Sequence, residues 1–136
     1  MVENRSCPET KLRKLVGGYQ AVMVELVDHV AGLDIVLAPV GGGGLLSGLC
    51  LAADALRPRM AIFACELASA LDAMDSVKQN RIVPPMPNPN TLADGLRTSL
   101  GELTLPILRR HVTGFFVVEE KEIVQACNSL TNDSSL

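Results

Sequence analysis

The chain has 136 residues and a formal net charge of -3, and its composition excludes several classes of protein. Apolar residues make up 48% and charged residues 20% of the sequence, which is a globular composition and not that of a disordered chain. The basic residues are scattered and aromatic residues reach only 3%, so the basic patch and stacking rings of a nucleic-acid-binding protein are missing. We therefore expect one folded core without a nucleic-acid partner.

The predicted elements of the first half alternate between helix and strand. Apolar residues at helical spacing predict a helix over residues 19–30. The apolar run of residues 34–40 predicts a central parallel strand that is covered on both faces. Four glycines follow, then a second helical pattern that Pro58 ends, then an apolar strand over residues 60–65. This order is a β-α-β crossover, which predicts an α/β fold.

The second half continues with shorter elements. Residues 69–79 have a partly polar helical pattern, and the proline-rich residues 83–90 predict a loop. Residues 91–101 are ambiguous, whereas the pattern predicts a helix over residues 103–111, a strand over 115–118 and a helix that begins at Glu120. Residues 35–53 are uncharged, but four consecutive glycines and a proline inside them argue against a membrane span.

The cysteines and histidines favour no metal site. The four cysteines have no C-x-x-C spacing and share no ligand pattern with the histidines, so reduced thiols and surface histidines are expected. These residues are Cys7, Cys50, Cys65, Cys127, His29 and His111. Residues 1–14 contain no apolar run like the core of a signal peptide. We therefore predict a cytoplasmic location.

The most informative segment is PVGGGGLLSG, residues 39–48, in which four glycines join a buried strand to a helix. Free backbone N–H groups and the positive end of the helix dipole converge at the amino end of a helix. Glycines let these amides approach an anion closely, and α/β sheets bind ligands beyond the carboxyl ends of their strands. The segment therefore predicts a site for a phosphate-bearing ligand.

Three other interpretations of this segment compete with a phosphate site. A bare flexible turn is disfavoured because both flanks are apolar and regular. A Walker A loop is excluded because Leu49 stands where that loop requires a lysine. A dinucleotide-binding fingerprint stays open, because Gly42-x-Gly44-x-x-Ser47 nearly fits G-x-G-x-x-G and Glu66 ends the next strand about twenty residues on.

Three segments, in a fixed order, carry a resemblance to a known family. They are DIVLAPVGGGGLLSG at residues 34–48, ELASALD at residues 66–72 and TLADGLRTSLGELTLPILRR at residues 91–110. They are similar to the phosphate loop, the E-P-x-x-A-x-D segment and the T-x-A-D-G stretch of fold-type II pyridoxal-phosphate (PLP) enzymes, in particular the serine racemase and serine/threonine dehydratase family. The resemblance implies an incomplete three-layer large domain with a mostly parallel, tryptophan synthase beta-like sheet.

The resemblance also implies ligands for a cofactor and for a cation. The phosphate of pyridoxal 5'-phosphate would be held by the main-chain N–H groups of Gly41, Gly42, Gly43, Gly44 and Leu45. A Mg²⁺ or Ca²⁺ ion would be held by Glu66, the carbonyl of Ala70 and Asp72, which are suitable oxygen ligands. A strand-end charge and a helix-start acid remain an open interpretation of the two carboxylates. Asp94 and Gly95 match a pair that borders the cofactor, or form a plain turn.

The chain departs from the family in the residues that carry the chemistry. The family's Schiff-base lysine lies in an S-x-K-x-R-G context, which none of Lys11, Lys14, Lys78 and Lys121 has. The family's asparagine loop and its late serine at the pyridine nitrogen are also absent, and GYQA at residues 18–21 replaces G-Q-G-T. No catalytic residue is therefore assigned.

Two functional hypotheses follow from the match and its gaps. The first is a fragment of a PLP-dependent serine/threonine dehydratase or serine racemase that is inactive alone and binds the amino-acid substrate only within the full-length enzyme. Its parts would be a charged lead-in at residues 1–16, a partial PLP-phosphate-binding domain at 17–126 and a divergent, frayed tail at 127–136. The alternative is a non-catalytic phosphate- or dinucleotide-binding α/β module. Because the family is commonly dimeric, the resemblance also implies a homodimer or pairing with a full-length subunit.

Overall fold

The computed structural model describes residues 9–132 and, within the first helix, the side chains of Lys14 and of residues 16–29. The elements in chain order are α1 (Glu9–His29), β1 (Ile35–Pro39), α2 (Gly44–Leu56), β2 (Ala61–Leu67), α3 (Asp72–Gln79), a short 3₁₀ helix (Asp94–Leu96), α4 (Thr104–His111), β3 (Gly114–Val118) and α5 (Glu120–Asn132). The predicted alternation of helices and strands is confirmed. The first helix begins ten residues earlier than predicted, and Cys7 lies outside the described residues.

The three strands form one parallel sheet in the order β1-β2-β3. Leu37 of β1 lies beside Phe63 of β2, and Phe63 lies beside Gly114 of β3. The unit β1-α2-β2 is the crossover that the sequence predicts. Because the strands are parallel, their carboxyl ends lie at the same edge of the sheet, and this edge holds the loops that follow β1 and β2.

Helix α2 is the most buried helix of the fold and packs closely against α1. A Cβ atom added to Gly48 would lie 2.6 Å from Tyr19 Cβ and 2.8 Å from the Val16 carbonyl oxygen. A residue with a side chain therefore cannot replace Gly48 without separating the two helices. The carboxyl end of α2 is closed by a hydrogen bond from the Arg57 N–H to the Ala53 carbonyl, and Pro58 follows.

The core lies between one face of the sheet and the helices. Met23 of α1, Leu46 of α2 and Leu108 of α4 are its largest fully buried apolar side chains. Val36 and Ile62 extend the core from the sheet. The buried cluster is contiguous, so the described elements form a single core.

The other face of the sheet is open. Ile35 and Leu37 of β1 are 54% and 55% exposed, and Phe116 of β3 is 49% exposed. Phe116 packs its ring against Phe63 at a centroid separation of 5.2 Å. The prediction that β1 is a central strand covered on both faces is therefore wrong for residues 9–132, because β1 lies at an edge and the core covers only one of its faces.

Candidate functional site

The glycine loop, defined here as residues 41–44, connects the carboxyl end of β1 to the amino end of α2. Gly43 has φ +80°, a left-handed conformation that glycine adopts without strain. Val40 on one side donates its N–H to the Cys65 carbonyl, and Ser47 on the other donates to the Gly43 carbonyl. Between them, the N–H groups of residues 41–46 reach no hydrogen-bond acceptor within residues 9–132.

This arrangement concentrates positive potential at one point. The first N–H groups of any helix lack intrahelical partners, and the dipole of α2 adds about half a positive charge there. The glycine loop extends this row of amides by three residues. The predicted donors from Gly41 to Leu45 all lie within the row, so the geometry can bind an anion.

The back of the glycine loop packs against residues 95–104. A Cβ atom on Gly41 would lie 3.1 Å from both the Gly95 carbonyl oxygen and Thr98 Oγ1. The structure therefore brings the Gly95 carbonyl beside the glycine loop. Asp94 instead points outward and pairs with Arg97, with 3.4 Å between Oδ1 and Nε.

Thr104 makes a contact with the glycine loop that the sequence did not predict. Its side chain is fully buried, and its hydroxyl donates a hydrogen bond of 2.9 Å to the Gly42 carbonyl. The two residues are 62 positions apart, so no local motif indicates the contact. No signal in the sequence could have revealed it, because only the docking of α4 beside α2 creates it.

The carboxyl end of β2 carries the buried carboxylate of Glu66. Its Oε1 accepts the Ala73 N–H at 2.6 Å and its Oε2 accepts the Met74 N–H at 2.9 Å. Burial raises the pKa of Glu66 from 4.5 to about 7, although the two N–H donors act in the opposite direction. The side chain therefore caps the amino end of α3 from outside the helix.

Of the other two predicted cation ligands, Ala70 lies in the turn between β2 and α3, and Asp72 lies at the start of α3. The Ala70 N–H donates to the Leu67 carbonyl at 2.9 Å, and Asp72 is the first residue of α3. Burial raises the pKa of Asp72 from 3.8 to about 6. Across the described ranges, no group of three or more His, Cys, Asp or Glu residues is arranged to hold a metal ion. The cation site thus stays a prediction.

The described histidine and cysteine side chains also join no group of three or more that could hold a metal ion. The ring of His29 contacts the Glu25 carbonyl at 2.7 Å on the exposed face of α1. His111 is more buried than a surface histidine, with Nδ1 3.7 Å from Asp54 Oδ1. The thiols of Cys50, Cys65 and Cys127 are free, and burial raises the pKa of Cys50 to about 12. The side chains of Lys14, Lys78 and Lys121 are exposed.

No helix within the described part of the chain is long and apolar enough to cross a membrane. The apolar stretch of residues 35–53 is divided between β1, the glycine loop and α2. This division is the one that the four glycines predicted.

Comparison with known proteins gives consistent matches. The family model of pyridoxal-phosphate dependent enzymes matches residues 7–136. A serine racemase from Dictyostelium discoideum is 40% identical over 131 residues, which are 93% of this chain and 40% of that protein. Maize serine racemase superposes with a TM-score of 0.84 at 37% identity, over 90% of this chain and 38% of that one. A threonine deaminase from T.th. superposes with a TM-score of 0.78 at 41% identity, over 82% and 42%.

These matches cover nearly all of this chain but only about two fifths of each relative. The match to the family model extends on both sides beyond residues 17–126, the predicted PLP-phosphate-binding domain. The chain belongs to the family of pyridoxal-phosphate-dependent enzymes, and its parallel sheet and helices are part of the fold-type II architecture of serine racemase and threonine deaminase.

Proposed function

We propose that this chain is the phosphate-binding part of a PLP-dependent enzyme that acts on serine or threonine. The observation that carries the proposal is the row of N–H groups of residues 41–46, which meet no acceptor within the described chain. Such amides at a helix amino end are suited to a phosphate, which is a dianion with several acceptor oxygens. We assign phosphate binding to Gly41, Gly42, Gly43, Gly44 and Leu45.

The reaction class follows from the relatives. The relatives include proteins named serine racemase, threonine deaminase and beta-hydroxyaspartate dehydratase. These names indicate that the relatives act on small amino acids. When bound, PLP supplies a ring that withdraws electrons from the substrate Cα after its proton is removed. We infer a role in dehydration or racemisation of serine or threonine.

We propose that the chain does not carry out this reaction alone. A PLP enzyme needs a lysine that attaches the cofactor and then acts as a base. The lysines at 11, 14, 78 and 121 all lack the S-x-K-x-R-G context. Exposure of Lys14, Lys78 and Lys121 supports this assignment, since a catalytic lysine is desolvated beside its cofactor. The chain would then act within a longer protein or beside a full-length subunit.

We further propose that Glu66, the Ala70 carbonyl and Asp72 bind Mg²⁺ or Ca²⁺ and stabilise the fold. Each Glu66 oxygen accepts one N–H and keeps a second lone pair that can face a cation. Addition of Ca²⁺ at pH 8 would raise the unfolding temperature, and Asp72→Asn would remove this increase. An equal increase in both proteins would count against the assignment.

A dinucleotide-binding function is less well supported. That function requires an acid at the end of β2 to bind a ribose hydroxyl. Glu66 has the predicted position, but it is only 3% exposed and both of its oxygens accept backbone N–H groups of α3. This burial keeps the carboxylate away from the ribose of a bound dinucleotide.

The open face of the sheet supports association with further polypeptide. Ile35, Leu37 and Phe116 form an apolar surface that a stable protein covers. We propose a homodimer or pairing with a full-length subunit. The free thiols at Cys50, Cys65 and Cys127 are compatible with the reducing cytoplasm, which we propose as the location.

The phosphate assignment is tested by calorimetric titration of the full 136-residue chain. Pyridoxine 5'-phosphate is the probe because it has no aldehyde and cannot react with surface lysines. Pyridoxine, which lacks the phosphate, is the matched control. We expect the phosphorylated compound to bind at least about tenfold more tightly, and inorganic phosphate to compete with it. Equal affinities for the two compounds would reject the proposed function.

A further inference from the structure

We propose that Thr104 is a positioning residue that sets the orientation of the peptide group between Gly42 and Gly43, and so directs the Gly43 N–H into the anion site. This inference rests on the proposed phosphate-binding function. It assigns a specific task to a residue of α4 that lies outside the glycine loop and its flanking strand and helix.

The Thr104 hydroxyl has one proton and two carbonyl oxygens within reach. It lies 2.9 Å from the Gly42 oxygen and 3.2 Å from the Gly101 oxygen. The Gly101 oxygen already accepts the N–H groups of Thr104 and Leu105, at 3.1 and 3.0 Å. The proton is therefore best used by the Gly42 oxygen, which is nearer and receives no backbone N–H within residues 9–132.

A lone pair of the same hydroxyl fixes its direction. Thr104 Oγ1 accepts the Gly101 N–H at 2.9 Å, and the side chain is fully buried. A hydroxyl that accepts on one side and donates on the other cannot rotate without breaking a buried hydrogen bond. The donor to Gly42 thus has a defined position.

The geometry of the peptide group transmits this position to the next amide. The Gly42 carbonyl and the Gly43 N–H belong to one planar trans unit, in which they point in opposite directions. When Thr104 holds the carbonyl toward α4, the N–H points away from α4. That N–H is one of the six amides of residues 41–46 that have no acceptor in the described chain.

A peptide group between two glycines requires such a restraint. Glycine adopts many backbone conformations, so an unrestrained pair would rotate and present its carbonyl oxygen to an incoming anion. Gly43 is also confined sterically, because a Cβ atom there would lie 2.9 Å from Thr104 Cβ and from Leu100 Cδ2. The same threonine therefore supports the loop by packing and orients it by its hydrogen bond.

The test compares Thr104→Val, which keeps the shape but loses the hydroxyl, with Thr104→Ser, which keeps the hydroxyl. The ligand is inorganic phosphate, titrated calorimetrically into the full chain. We expect the dissociation constant to rise about tenfold in Thr104→Val and to stay within about twofold in Thr104→Ser. Ser76→Ala is the control for stability, because it removes a buried hydroxyl that bonds within α3 and to Val83.

A second measurement does not depend on ligand. The residual dipolar coupling of the Gly43 N–H bond, which reports the direction of that bond, should match the wild-type value in unliganded Thr104→Ser and differ from it in Thr104→Val. If the wild-type chain failed to bind phosphate, the proposed function would fall, while this coupling would still decide whether Thr104 orients the peptide group.

Two results would overturn the inference. One is unchanged phosphate affinity in Thr104→Val, with an unfolding temperature lowered only as much as in Ser76→Ala. The other is a dipolar coupling of the Gly43 N–H bond that is the same in the valine and serine variants. Either result would reduce Thr104 to a structural residue of α4.

Discussion

The carboxyl ends of β1 and β2 lie side by side, and each leads to the amino end of a helix, but the two helix ends are completed differently. At α2, the N–H groups of residues 41–46 have no acceptor in the described chain. At α3, the carboxylate of Glu66 accepts the N–H groups of Ala73 and Met74. The same backbone feature is thus open to an external anion at one strand end and filled by an internal anion at the next.

The difference between the two helix ends indicates that ligand binding and folding stability depend on different sites of this fold. A helix end that the protein fills with its own carboxylate contributes to folding and needs no ligand. At α2, where the glycine loop leads into the first turn, we expect the amides to be completed by an external anion. Substitutions at α3 should therefore change stability, whereas substitutions at the glycine loop should change phosphate affinity.

The largest effect on stability is expected from Glu66→Ala. The change leaves two N–H groups at the start of α3 without their acceptor, in a site that is almost fully buried. We expect the free energy of unfolding to fall by about 3 kcal/mol, measured by urea denaturation. The exposed Glu25→Ala on α1 serves as the control and should change it by less than about 0.5 kcal/mol. Equal stability of the two variants would mean that the cap at α3 is dispensable.

Gly43→Ala should disrupt the other helix end. Alanine at φ +80° is strained, and its Cβ would meet Thr104 and Leu100 at 2.9 Å. We expect a loss of stability of about 2 kcal/mol and loss of phosphate binding. The matched control is Gly17→Ala in α1, where no atom lies within 4 Å of the added Cβ and alanine favours the helix. Retention of wild-type phosphate affinity in Gly43→Ala would show that the left-handed loop is not the binding element.

The comparison also shows which parts of the site the sequence predicted. The glycine loop was predictable, because four glycines between an apolar strand and a helical pattern occur within one short segment. The cap at α3 was not predicted, because the sequence offered Glu66 as a cation ligand, a ribose-binding acid or a plain strand-end charge. A carboxylate at a strand end is equally suited to a cation and to a helix end, and only the positions of Ala73 and Met74 distinguish them.

Long-range contacts limited the rest of the prediction. The contact of Thr104 with Gly42 depends on the docking of α4, which no spacing in the sequence encodes. The apolar run of β1 indicated a strand covered on both faces, yet Ile35 and Leu37 are exposed. The apolar composition of β1 indicates that both of its faces are suited to apolar surroundings. The described residues cover only one of these faces. The start of α1 was missed although Leu12, Leu15 and Val16 have helical spacing, because Gly17 and Gly18 lower the helical propensity there and only the packing of α1 against α2 outweighs them.

The buried carboxylates at α3 should make stability depend on pH in a defined direction. Burial raises the pKa of Glu66 from 4.5 to about 7, so the folded chain holds a proton that the unfolded chain has released over this range. The free energy of unfolding should therefore fall as pH rises from about 4.5 to about 7, by at most about 1.4 kcal/mol per pH unit for one proton. Asp72, whose pKa is raised to about 6, adds to the lower part of this range.

The measurement is a series of urea denaturations between pH 4 and pH 8 in the presence of a chelator. Glu66→Gln keeps the shape and removes the titration, so its stability should vary less with pH than that of the wild-type chain. A profile that rises with pH over this range in the wild-type chain would contradict the assignment of a raised pKa to Glu66.

The smallest expected effect separates two buried serines, one on each helix. Ser47 of α2 has a buried hydroxyl without a hydrogen-bond partner in the described residues, whereas the hydroxyl of Ser76 of α3 donates to the Asp72 carbonyl and accepts the Val83 N–H. Ser47→Ala removes an unpaired polar atom and should leave stability unchanged or raise it by about 1 kcal/mol. Ser76→Ala leaves the Val83 N–H unpaired and should lower stability by about 1 to 2 kcal/mol.

Thermal and urea unfolding of Ser47→Ala and Ser76→Ala, measured without ligand, compare the contributions of the two hydroxyls to stability. Only Ser76→Ala should destabilise the chain, because the Ser76 hydroxyl bonds within the protein whereas the Ser47 hydroxyl has no partner in the described residues. If Ser47→Ala proved as destabilising as Ser76→Ala, the Ser47 hydroxyl would have a partner in solution.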